Sequence, residues 1–283
     1  MSMAASTSPE TAEFTPREDV DAYFVPLGEH DGGRLFEPTI HVQGAWNEAE
    51  QHLAASAGLI VHEIERHEPR EGMQLAKVTF DVYGFIPLRP THVRVRTIRP
   101  GRTIELVEAE FSVDGRLIIV ARAWRLSVQD SSPVAGADLE PLPPMNECER
   151  VDMGQMWPGG FIRSVERFDA PPGYVPGRNR TWLRTDLPSV LGEEISPTTH
   201  FLCVIDGANG IAVRVDPREW MFPNVDLTVH LFRRPDPTAT GFDTTVAMGE
   251  SGLGVTMTTL HDIHGPVGRI AQSLTVREMP SKG

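Results

Sequence analysis

One order of elements occurs twice in this chain: a helix-periodic apolar segment followed by long alternating strands, then the same again after a proline-rich break. In the first half the segment 47–66 carries Ala54, Gly58, Leu59, Val61, His62 and Ile64 between Glu and His residues at helical spacing, which predicts a helix. The pattern stops at "HEPREG", where Pro69 and Gly72 end it. Three β-like runs follow, "MQLAKVTFDVYGFIPL", "HVRVRTIRPGRTIELVEAEFSV" and "RLIIVARAWRLSV", with Asp114-Gly115 as a hairpin turn between the last two. The second half opens with "GFIRSVERFD" and "RTWLRTDL" and continues with a helical segment 196–213, for which Ser196 is a good cap and Pro197 a good first residue. It closes with "NVDLTVHLFRRP", "GFDTTVAM", "GLGVTMTTLHDI" and "VGRIAQSLTVRE". The stretch "QDSSPVAGADLEPLPP" between the halves has no periodicity and reads as an exposed linker. The expected division is a disordered tail 1–17, a first unit 18–128, a linker 129–150 and a second unit 151–283.

An offset of 150 lays "DGRLIIVARAWRL" (114–126) on "HGPVGRIAQSLTV" (264–276). Gly115 then meets Gly265, Ala121 meets Ala271, and Trp124 meets Leu274. The shared order makes duplication the better explanation, with a domain-sized repeat. Arg122 falls where the second half has Gln272, so the two halves are expected to be chemically unequal.

Composition narrows the classes of function. With 283 residues, 40% of them hydrophobic, the chain can bury a substantial core. A net charge of -13 opposes non-specific binding to nucleic acid or to an anionic membrane, although a local basic patch can still hold a phosphorylated ligand. Cys148 and Cys203 are the only cysteines and lie far apart, which fits neither a disulfide framework nor a thiolate zinc site. The sequence has no signal-peptide pattern at its start and no apolar run of about 18 residues, so a soluble cytoplasmic protein is expected. His261 and His264 have H-x-x-H spacing but flank a predicted turn without a third ligand nearby, and no metal or other cofactor is expected. Neither Gly-x-Ser-x-Gly nor a P-loop occurs.

Asp206 in "VIDGANGIAV", Asn224 in "FPNVDLTVHLFRRP" and Gln272 in "GRIAQSLTV" are residue types that can converge on one water: a carboxylate that accepts a proton and two amides that orient. Such a set equips a hydrolase that lacks a covalent nucleophile. Each residue also has a plainer reading. Asp206-Gly207 fits a turn or cap, Gln272 fits a solvent-facing strand position, and Asn224 after Pro223 fits a strand-entry turn. Arg233-Arg234 fits a solvated strand end.

Taken together, "GAWNEAEQHLAASAGLIVHEIE", "VTFDVYGFIPL" and "VRTIRPGRTIELVEAEFSVDGR" in the first half, with "DGANGI", "DPREWMFPNVDLTVHLFRRP" and "HDIHGPVGRIAQSLTV" in the second, resemble the type II double hot-dog acyl-CoA thioesterases, particularly their actinobacterial thioesterase-like branch. The resemblance implies an α+β fold in which two long helices, each wrapped by an antiparallel sheet, lie on one side of one continuous sheet. It implies Asp206 as the base with Gln272 as a site residue; the family's threonine falls on Asn224 or Thr228. Asn in place of Thr is a departure, since an amide does not reproduce a hydroxyl that donates and accepts on one rotor. "HLAASAG" is a second departure, with Leu53 and Ser56 reshaping an acyl entrance that is more glycine-rich in relatives. The implied reaction is hydrolysis of an acyl-CoA thioester by an activated water, with oxyanion donors from amides near the second helix. Phe201, Trp220 and Phe222 would wall the acyl chain, beside Thr228, and Arg233 and Arg234 would meet the phosphates of coenzyme A. The partner is acyl-CoA, without nucleic acid or membrane insertion, and self-association stays open. Two rivals are a hot-dog enoyl-CoA hydratase, which needs an Asp and His pair, and a non-catalytic acyl-CoA binder. No histidine follows Asp206 within a dozen residues.

Overall fold

The computed structural model describes residues 14–280. In chain order the first half holds β1 (Phe24–His30), β2 (Gly33–Pro38), α1 (Leu53–Arg66), β3 (Met73–Val82), β4 (Thr91–Arg99), β5 (Ile104–Val113) and β6 (Arg116–Ser127). The second half holds β7 (Glu149–Val151), α2 (Gly160–Arg163), β8 (Glu166–Asp169), β9 (Arg178–Arg184), α3 (Pro197–Leu202), α4 (Ala208–Ile211), β10 (Trp220–Met221), β11 (Asp226–Leu231), β12 (Thr240–Met248), β13 (Leu253–Asp262), β14 (Gly265–Thr275) and β15 (Arg277–Glu278). Thirteen strands form one sheet in the order β1-β2-β4-β5-β6-β3-β11-β14-β13-β12-β9-β8-β7. Read outward from the β3–β11 seam, each half runs through its last strand first and its hairpin partners next, so the two halves mirror each other. The seam is an antiparallel pairing in which Val229 faces Val78 and Leu227 faces Phe80, all four buried. Closing the halves on these strands removes the free edge each would expose alone.

The first helix is shorter than its expected span. Residues 47–52 instead form a bridged turn, with Gln43 opposite Gln51 and Glu50 opposite Pro87, and the helix starts at Leu53 with His52 as its cap. From Leu53 to Ile64 every residue is buried. A helix buried on all sides has to be wrapped rather than laid on a surface, which fits "LAASAGLIV" better than an amphipathic reading does. The second helical segment departs further: it is not one long helix. Ser196 and Pro197 do start it, with the Ser196 hydroxyl accepting from Thr199 N–H. It then breaks into α3, a 3-10 turn Ile205–Gly207 and α4. Gly207 and Gly210 weaken helix continuity there. Where the two helical segments cross, a Cβ on Gly58 would lie 2.8 Å from the Cys203 Cβ, so only glycine permits this approach.

Strand alternation corrects the overlay of the halves. In β14 Ile270, Gln272 and Leu274 are buried and face inward, whereas in β6 the inward residues are Ile119, Ala121 and Ala123. Arg122 lies on the outer face, bonded to Glu108. The 150-residue offset is therefore one position out of phase, and a one-residue slip exchanges the two faces of a strand. The halves are unequal because small alanines, not an arginine, take the inward positions in the first half.

Of the expected tail, residues 1–13 lie outside the described residues, while the Arg17 carbonyl accepts from Ile40 N–H at 2.8 Å. The segment 129–150 is mostly exposed but is pinned at Leu142, buried beside Trp182, whose indole N–H donates to the Pro143 carbonyl. Both cysteines are free thiols. Among the described residues no helix is long and apolar enough to cross a membrane.

Candidate active site

Asp206 sits in the 3-10 turn between α3 and α4, at the break in the second helical segment, and is 7% exposed. Its Oδ1 accepts two bonds, from Asn224 Nδ2 at 2.9 Å and from Gln272 Nε2 at 2.8 Å. Asn224 is held at the entry to β11 by a second bond from Nδ2 to the Asp226 carbonyl and by bridging to Leu274. Gln272 reaches inward from the middle of β14, and its Oε1 is buried without a protein partner among the described residues. The three residues singled out in sequence thus meet at one carboxylate oxygen. Oδ2 takes no such bond and lies 3.8 Å from His52 Nδ1.

Burial pushes the Asp206 carboxyl up to about 7. The two amide donors pull it back down and the Glu50 charge adds to the rise. Glu50, half-buried in the same cavity, is itself pushed up to about 7 by burial. His52 is pushed down to about 3 by burial, so its approach to Asp206 is not an ion pair. Its Nδ1 accepts from Ala54 N–H at 3.2 Å, capping α1, and its ring stacks on Phe161 with centroids 4.0 Å apart.

Asp206, Asn224, His52 and Glu50 line a cavity of about 340 Å³ between the two halves. That size lies within the roughly 300–1,000 Å³ usual for small-molecule sites. Its apolar wall is a cluster of edge-on rings, with Trp46 4.9 Å from Trp157 and 5.1 Å from Phe222. Arg277 is exposed and lines the same cavity.

Of the other expected residues, Phe222 and Leu53 line the cavity. Phe201 is 1% exposed in the core, and Trp220 pairs with Glu278 in the small β10–β15 sheet; neither lines it. Ser56 is buried against Gln51, away from the opening. Thr228 faces the other side of the sheet, because Leu227 and Val229 on either side of it turn inward. Arg233 is engaged elsewhere: its guanidinium forms a two-pronged pair with Asp262 at 2.5 and 2.7 Å. Arg234 donates to the Met73 carbonyl. Both stand just past the end of β11 far from Asn224, on the order of 30 Å along the chain. His261 is buried and His264 exposed on either side of the turn. Among the described residues the one His/carboxylate set within reach of a common ion is His62, Glu63 and Glu193, and there Arg34 and Arg66 supply the positive charge.

Sequence reasoning missed His52, Glu50, Trp46, Trp157 and Arg277. His52 and Glu50 stand more than 150 positions from Asp206, and no periodicity links them. The one local signal was His52 immediately before the apolar helical run, where a cap belongs.

The comparisons agree with this double architecture. The model of the acyl-CoA thioesterase N-terminal domain matches residues 42–126, and that of the acyl-CoA thioesterase C-terminal domain matches residues 145–276. No curated protein sequence matches the chain. A candidate thioesterase II from Thermobifida fusca YX has a similar structure, at 18% identity and a TM-score of 0.69, covering 91% of this chain and 96% of that one. A conserved protein of unknown function with a hot dog fold from Alicyclobacillus acidocaldarius superposes with a TM-score of 0.72 at 15% identity, over 89% of this chain and 96% of that one. The acyl-CoA thioesterase II TesB2 of Mycobacterium marinum gives 0.61 at 15% identity, over 88% and 94%. At these identities the structural likeness establishes a hot-dog fold.

Proposed function

The chain belongs to the acyl-CoA thioesterase family, carrying that family's N- and C-terminal domains in one polypeptide, and from that premise we propose that it hydrolyses an acyl-CoA thioester with Asp206 as general base. The observation that carries this reading is the division of labour on the Asp206 carboxylate. Oδ1 is saturated by Asn224 and Gln272, which leaves Oδ2 beside the cavity to take a proton from water. Gln272 Oε1, unpaired, accepts the second hydrogen of that water. The water oxygen attacks the thioester carbonyl carbon while its proton passes to Oδ2. Collapse then breaks the C–S bond, and the thiolate leaves with the proton from Asp206. The acyl chain lies along Trp46, Trp157 and Phe222, and Arg277 meets an anionic group of coenzyme A near the opening.

A base must be ionised to act, so kcat/KM is expected to rise with pH through about 7 and then level off. Gln272→Ala removes a donor that favours the ionised form, and is expected to move that limb to higher pH besides lowering the plateau. A pH–rate profile of the two proteins checks this; an unmoved limb in the variant counts against Asp206 as the titrating group. Arg277→Ala is expected to raise KM for acyl-CoA about three- to tenfold at low salt, with the gap narrowing as salt screens the charge. An equal effect on a short thioester lacking the nucleotide would remove Arg277 from phosphate binding.

The direct test is thiol release across a panel of acyl-CoA chain lengths, with hydration of enoyl-CoA followed alongside. The hydratase alternative gains one observation, since His52 supplies beside Asp206 the histidine that the sequence around Asp206 lacks. That ring is an unsuitable acid or base near neutral pH, being held neutral by burial with Nδ1 occupied by the helix cap. Release of thiol supports the thioesterase; hydration without thiol release supports the hydratase; stoichiometric binding of intact acyl-CoA supports a binder.

A further inference from the structure

The reaction outlined above leaves the ring hydrogen of His52, on the cavity wall, unused. Ala54 N–H can only donate, so the His52 Nδ1 that it meets has to be the accepting nitrogen. In the neutral ring the hydrogen therefore sits on Nε2. That N–H has no protein partner among the described residues, and the side chain lines the cavity. Two contacts fix where it points: the cap bond at one edge of the ring and Phe161 stacked on its face. Across the ring from Nε2, Nδ1 stands 3.8 Å from Asp206 Oδ2, the oxygen left free for the water. Both side chains line the same cavity, one from each half of the chain.

Resting on the thioesterase reading, we propose that the Nε2–H of His52 receives the carbonyl oxygen of the substrate and holds it as it becomes an oxyanion. As water adds to the carbonyl carbon and gives its proton to Asp206, the carbonyl π pair moves onto oxygen, where the Nε2–H meets it. When the C–S bond breaks the pair returns, and His52 ends as it began, having neither gained nor lost a proton. A neutral imidazole suits this work, because a positively charged ring beside Asp206 would hold that carboxylate ionised and weaken it as a base. The helix cap is what enforces the tautomer: accepting from Ala54 with Nδ1 obliges Nε2 to be the donor. Asp206 thus comes from the second half and the donor from the first, so neither half holds a complete site.

Two substitutions separate donation from capping. Asn keeps an acceptor for Ala54 N–H, since it is a favoured cap, but has nothing at the Nε2 position. Gln keeps an N–H near that position and gives up the cap. His52→Asn is expected to keep the native Tm within a few degrees and KM within a few fold while losing about 100-fold or more in kcat, the usual effect of removing an oxyanion donor. His52→Gln is expected to melt lower yet retain more of kcat than His52→Asn. The companion measurement does not depend on turnover: the ¹³C shift of a labelled carbonyl in an acyl-CoA ketone analogue, with CH₂ in place of sulfur, bound to each protein. The expected result is a downfield-shifted carbonyl in the native protein and in His52→Gln that reverts in His52→Asn. A shift unchanged in His52→Asn, or no shift in the native protein, overturns the proposal, as does a native kcat in His52→Asn. A His52-dependent shift in a protein that releases no thiol keeps the donor and overturns the hydrolytic reading instead.

Discussion

Asp206→Asn is expected to lower kcat/KM for acyl-CoA hydrolysis by about 10³- to 10⁴-fold while making the protein more stable above neutral pH. The loss follows from the geometry: the Asn carbonyl can still accept from Asn224 and Gln272 at the Oδ1 position, but an amide in place of Oδ2 takes no proton. The gain follows from linkage. Asp206 titrates at about 7 in the folded protein against 3.8 as its ordinary value, so the folded state holds this proton more tightly than the unfolded chain does. The associated stability is fully present below about pH 4 and is lost as pH rises through about 7. Above that, the native protein carries a buried carboxylate whose cost is about 4 kcal/mol, and asparagine removes it. Thermal unfolding of both proteins at pH 4, 6 and 8 checks the sign: the variant's advantage should grow with pH and be largest at pH 8. A variant that is less stable at pH 8 would mean the carboxylate is not strained there, and the activated-base reading would lose its physical ground.

Arg233→Met is expected to destabilise the protein by about 3 kcal/mol or more and to leave KM for acyl-CoA within twofold of native. Arg233 was one of the two cations expected from sequence to meet the phosphates. In the fold its fork closes on Asp262, whose side chain is fully buried and also accepts from the N–H groups of Asp236 and His264. Burial works against that charge, yet these donors hold the carboxyl below the usual carboxylate range. Methionine would leave Asp262 charged, buried and short of its counter-ion, which is the costly way to break such a pair. A denaturation midpoint lowered with unchanged kinetics fits this role, whereas a stable variant with a raised KM would return Arg233 to the substrate.

The same contrast runs through the rest of the molecule. Asp206, Asn224 and Gln272 were singled out because their side-chain types can handle a water and the motifs around them resemble a family; taken alone, each also fits an ordinary turn, strand-entry or solvent-facing position. Thr228 was not decidable from sequence: facing inward or outward is a matter of one residue of strand phase, and the flanking Leu227 and Val229 show the phase only once the seam with β3 is known. The break in the second helical segment was visible as two glycines, but each alone only weakens a helix. The close packing at Gly58 and Cys203 that accompanies it is a tertiary fact. His52 and Glu50 fell inside the expected helix 47–66 as ordinary polar residues; burial in the cavity beside Asp206 is what gives one its neutral ring and the other its raised carboxyl.

By itself the sequence determined a twice-repeated helix-and-strand order, the turn at Asp114-Gly115, the cap at Ser196 and three residues able to handle a water. These are local matters, set by hydrophobic period, turn chemistry and side-chain type over a few neighbouring positions. The tertiary structure alone decided that the halves join through β3 and β11, that Asp206 of one half faces His52 of the other, and that Arg233 is occupied by Asp262. Those outcomes depend on which surfaces bury one another across more than a hundred residues, and burial, which sets both the charge state of a group and the partner left to it, has no counterpart in sequence spacing.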